Sequence, residues 1–149
     1  MKWTTALLML MAATGGADGA NEPAHGLADL RWNYRVILVF APKPLADNTV
    51  SKLENYRAQI DDRDIAWFVL TKDSLRSNFT GLLKKDLRAQ LVKRYFSPEP
   101  AATAVVLIGK DGAVKSRTRD LDLEATFGLI DQMPMRVEEM QQKNSATDD

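Results

Sequence analysis

Met133, Met135 and Met140 place three thioethers in one short segment. Thioether sulfur is a donor for soft ions such as Cu(I), so a copper site is one chemistry this spacing allows. The competing expectation is packing, because methionine fills irregular gaps where a segment closes a domain. Trp32, Arg35, Arg63 and Arg136 form a second set. They are expected either to build a surface that captures a partner or a small anion, or to pair with Asp64, Asp131 and Glu139 while Trp32 packs onto a sheet. Lys43 belongs to a third possibility, an anion held at a helix start.

Other chemistries are removed by composition. The chain of 149 residues has no cysteine and one histidine, His25. Disulfide exchange and sulfenate chemistry need a thiolate of the chain's own, and it has none. A zinc site would need cysteines or several histidines. A hydroxyl nucleophile would need a positioned base, and His25 falls in a polar stretch expected to be mobile. Asp61-Asp62-Arg63-Asp64 gathers carboxylates around an arginine and reads as a solvated turn, not a calcium site, which wants six or more oxygens. Asn78-Phe79-Thr80 matches a glycosylation sequon. Twenty basic residues balance twenty acidic ones, so no net field favours nucleic acid or an anionic membrane.

Residues 1–20 read as a signal peptide. Lys2 is followed by the apolar run Trp3 to Ala13 and then by small residues that suit cleavage after Ala17 or Gly19. Export to a periplasm or the medium is therefore expected, and no later run has membrane length. Residues 21–28 read as a flexible lead-in, 29–140 as one domain, and 141–149 as a disordered polar tail.

The elements that must position these side chains follow from apolar patterning. Val36 to Ala41 and Ile65 to Leu70 are apolar on both faces, as central parallel strands are. Between them lies a helix from about Thr49 to Asp61, capped by Asp47 or Asn48, with Val50, Leu53, Tyr56 and Ile60 inward. A second helix spans about Leu82 to Tyr95. Thr103 to Ile108 and Ala113 to Arg119 form a hairpin across Asp111-Gly112, the second strand polar and at an edge. Asp120 or Asp122 caps a helix with Leu123, Phe127 and Ile130 inward, and Pro134 ends it or opens another. The fold class expected is α/β, a thioredoxin-like β-α-β-α-β-β-α order with a central mixed four-stranded sheet. In thioredoxin-like enzymes the nucleophilic cysteine sits just after the first strand; here that stretch is Pro42-Lys43-Pro44-Leu45-Ala46-Asp47.

Trp32, Arg35, Arg63-Asp64, Leu107-Ile108-Gly109-Lys110-Asp111-Gly112 and Ile130 to Arg136 with Glu139-Met140 together resemble the DUF4174 domain family, over about Leu27 to Met140. The resemblance implies a thioredoxin-like, exported domain likened to peroxiredoxins, without a settled activity. The expectation is an exported, cysteine-free binding protein of the cell envelope that is not an enzyme and needs no cofactor. Its partner is expected to be another envelope protein. The alternatives are an antioxidant or oxidoreductase-related protein by family analogy, and Cu(I) binding through the methionines.

Overall fold

The computed structural model describes residues 23–147. The expected signal peptide lies outside them. One sheet of five strands organises the chain: β1 (Arg35–Phe40), β2 (Ile65–Leu70), β3 (Leu75–Ser77), β4 (Ala104–Ile108) and β5 (Val114–Thr118), in the order β3-β2-β1-β4-β5. β1 and β2 run parallel, with Arg35 opposite Ile65 and Phe40 opposite Leu70. β4 is antiparallel to β1, pairing Ile108 with Val36.

Five strands replace the four expected. The additional one, β3, is three residues long, below the length at which alternation can be read. It forms because Thr71 closes a turn, its hydroxyl accepting the Ser74 N–H at 3.0 Å while its own N–H donates to the Ser74 carbonyl.

Helices cover both faces: α1 (Lys43–Asn55), α2 (Arg57–Asp62), α3 (Leu87–Tyr95), α4 (Leu123–Asp131) and α5 (Pro134–Thr147). Strand side chains alternate between faces, so β1 feeds two cores. Ile37 and Val39 pack with Val50, Leu53 and Ile60 of α1 and α2 and with Leu123, Phe127 and Ile130 of α4. Val36, Leu38 and Phe40 join Leu87, Leu91 and Tyr95 of α3 and Leu30 of a 3₁₀ turn, Leu27–Leu30.

Several boundaries move. α1 begins at Lys43, so Asp47 and Asn48 lie inside it and cap nothing; Pro44 fits the first turn because no N–H is required there. α3 begins at Leu87, five residues later than expected. Asp122 is the cap of α4, accepting the Ala125 N–H at 3.0 Å. Pro134 opens α5, which continues to Thr147 through most of the stretch expected to be a disordered tail. The lead-in is tied down from His25 onward: its N–H donates to Leu82 at 2.6 Å and its carbonyl accepts from Lys84 at 3.0 Å. The Ser97–Pro98 peptide is cis.

Candidate functional site

Arg35 is the first residue of β1 and only 1% exposed. A buried charge is tolerable only when paired. Its guanidinium donates to both Glu139 oxygens at 3.2 Å and to the Arg63 carbonyl at 2.9 Å. Glu139 also accepts from Lys110 at 2.7 Å, and Lys110 donates to Asp64 at 2.9 Å. Arg136, 3% exposed, donates to Asp131 at 3.1 Å and to the Asp62 carbonyl and carboxylate. Arg63 grips Asp131 with two bonds, 3.0 and 2.7 Å, and lies 4.6 Å over the Phe127 ring. Lys143 adds a bond to Asp62 at 2.7 Å.

Local structure explains why these groups meet. Pro134 starts α5 directly after α4, which brings Asp131 against Arg136. Arg136, Glu139 and Lys143 recur at i, i+3 and i+7, one face of α5. Asp64 adopts φ +50, a left-handed conformation aspartate tolerates, and its carbonyl accepts the Arg35 N–H at 2.8 Å. The result is a clamp joining β1, the α2–β2 turn, the β4–β5 turn and α5.

The charges set the protonation of the clamp. Hydrogen bonds from Lys143 and then Arg136 lower Asp62 to about 2. Asp131 is lowered chiefly by Arg63. Burial alone would raise Glu139, but the hydrogen bonds and charges of Lys110 and Arg35 outweigh it and hold it low. Burial would likewise lower Arg136; Asp62 and Asp131 raise it. Every buried side-chain nitrogen and oxygen among the described residues has a partner. The clamp's donors are occupied by its own carboxylates, which makes it a fastening.

The opposite end of β1 carries Lys43. Its ammonium is 81% exposed and 3.7 Å from the Asp73 carboxylate. Asp47 pairs with Arg76 at 2.5 Å beside it. Each cation near the start of α1, Lys43 and Arg76, is thus already matched by a carboxylate.

A cleft of about 340 Å³ lies at the clamp's end of the sheet, on the α3 face. Val36, Ile108, Leu27 and Tyr95 give it apolar walls, and Arg31, Arg94 and Tyr34 give it polar ones. Arg31 lies over the Trp32 ring at 4.9 Å and Arg94 over Tyr95 at 5.3 Å. Neither guanidinium has a carboxylate partner among the described residues.

Trp32 is 57% exposed, so it does not pack onto the sheet as one expectation had it. It sits at φ +71, rare for a bulky residue, with its N–H donating to the Lys110 carbonyl at 2.6 Å. Of the five candidate residues, the structure brings Arg35, Arg63 and Arg136 together in the clamp. Trp32 is placed beside the cleft, and Lys43 stands apart. Arg31 and Arg94 were missed; the signal available was an arginine directly before an aromatic, twice.

Met133 and Met135 line one cavity of about 240 Å³, while Met140 is not on that lining. Arg35, Lys110 and Lys115 line the same cavity, and three cations oppose a cuprous ion. Asp62 and Asp64 are committed to the clamp, and no group of three or more histidine and carboxylate side chains suited to a metal occurs among the described residues. The Asn78 amide is also engaged, donating to the Ile65 carbonyl at 3.0 Å and accepting the Trp67 N–H at 2.8 Å. No described helix is long and apolar enough to cross a membrane.

Residues 26–139 match the model of a family described as Domain of unknown function (DUF4174). No curated protein and no solved structure matches the chain.

Proposed function

Because the chain belongs to the DUF4174 family, whose description assigns no activity, we propose from its own residues that it is an exported binding domain without redox chemistry. The cleft beside Arg31 and Arg94 is its binding surface. The observation that carries this reading is the contrast in arginine pairing. Those of the clamp are matched by carboxylates, and those of the cleft are not.

A thioredoxin-like fold is part of the proposal. The parallel β1–β2 pair, the antiparallel β4–β5 hairpin and the following α4 support it. In that arrangement residues 42–47 occupy the place of the catalytic thiol, and they supply neither sulfur nor imidazole. The signal-like first twenty residues support export to the periplasm or the medium, with another envelope component as the source of the ligand.

Peroxide consumption with dithiothreitol as donor tests this reading. The purified protein is expected to add nothing to the buffer rate. Turnover above buffer would overturn it in favour of the antioxidant alternative.

A further inference from the structure

Two elements pack on this face of the sheet, α3 and the 3₁₀ turn, and the cleft is lined by both, with Val36 and Ile108 among its apolar walls.

Its charge is unbalanced. Asp111 also lines it, but that carboxylate is already bound by Lys115 at 2.8 Å and by the Ala113 N–H at 3.0 Å. Arg31 and Arg94 are left without carboxylates among the described residues. Each guanidinium rests near an aromatic ring, at 4.9 and 5.3 Å, which steadies the group while its N–H edge stays free for a planar or tetrahedral anion.

Two backbone features adjoin Arg31. Gly112, at φ +82, takes a left-handed conformation that favours glycine, and its neighbour there is the Arg31 side chain, whose Cδ and Nε would lie in ordinary contact, 3.5 Å, with a Cβ. The Trp32 N–H bond to Lys110 fixes the left-handed turn on the other side. Unusual backbone kept by such constraints clusters where ligands bind.

Resting on the binding reading above, we infer that the cleft takes a small amphipathic anion. A carboxylate or phosphate head lies between Arg31 and Arg94, and a short apolar body lies on Val36, Ile108 and Tyr95. About 340 Å³ is near the lower end of small-ligand sites, which suits a short body and not a polymer.

Calorimetric titration of the full chain with octanoate, octyl phosphate and octanol tests it. At least one anion is expected to bind about tenfold or more tighter than octanol. Preference for octanoate assigns a carboxylate ligand, and preference for octyl phosphate a phosphate one. Arg31→Ala with Arg94→Ala should lose about tenfold or more in affinity for that anion, with an unchanged circular dichroism spectrum. Arg94→Lys, which keeps the charge, should lose less. Equal binding of octanol, no binding of either anion, or unchanged affinity in the double variant would overturn the inference. Failure here with no peroxide turnover would leave the wider binding reading standing.

Discussion

Arg35, Arg63 and Arg136 lie near the same end of the sheet as Arg31 and Arg94, yet the two groups live in opposite circumstances. The first three are buried or half-buried and held by Glu139, Asp131 and Asp62. The other two are exposed and touch aromatic rings. The difference teaches that residue type alone does not mark a binding site. A guanidinium whose donors are matched by carboxylates fastens the fold, and one left unmatched over an open cleft can receive a ligand.

The largest expected effect breaks the clamp. Arg35→Ala leaves Glu139 and the Arg63 carbonyl without their buried partner. Removing one member of a buried pair costs about 3 kcal/mol. Lys110 still neutralises Glu139 and keeps the loss near the low end of the usual range. Urea unfolding of the variant measures it.

Acid should loosen the clamp next. Asp62, Asp131 and Glu139 are all held below their ordinary values, 3.8 for the aspartates and 4.5 for the glutamate. A depressed folded value means stabilisation is complete above the ordinary value and lost as pH falls through the folded one. Unfolding free energy should therefore be level above about pH 5 and fall between about pH 4.5 and 2. Arg63→Ala removes a main cause of the Asp131 shift and should make that fall shallower. A denaturation series across pH checks both slopes.

The smallest effect is at the rim. Lys143 and Asp62 form a pair whose side chains are 58% and 46% exposed. Lys143→Ala should cost about 0.5 kcal/mol or less, and added salt should erase the difference. A loss as large as that of Arg35→Ala would mean the clamp extends further than its buried members.

Much of this was readable in the chain. β2 was placed at its observed ends, since its six-residue apolar run is rich in β-branched and aromatic residues and stops at polar Asp64 and Thr71. Local rules narrowed the α4 cap to Asp120 or Asp122 and left Pro134 either ending α4 or opening a new helix; the structure selects Asp122 and the new helix. Asp131 and Glu139 were named as arginine partners, although Asp64 turned out to serve Lys110. The specific pairings were hidden because they cross the chain: Arg35 to Glu139 spans 104 positions and Arg136 to Asp62 spans 74. The cleft was hidden for the same reason, as the 3₁₀ turn, β1, α3 and the β4–β5 turn each contribute one part. The start of α1 was misplaced because Asp47 and Asn48 look like caps, while a proline in the first turn served earlier.

The comparison is tested most directly by measuring two quantities on two variants: unfolding free energy and affinity for the preferred octyl anion. Arg63→Ala should lose stability and keep its affinity. Arg31→Ala with Arg94→Ala should lose affinity about tenfold or more while its stability changes by no more than about 0.5 kcal/mol. A cleft variant that destabilises the protein as much as the clamp variant, or that binds the anion as wild type does, would contradict the account.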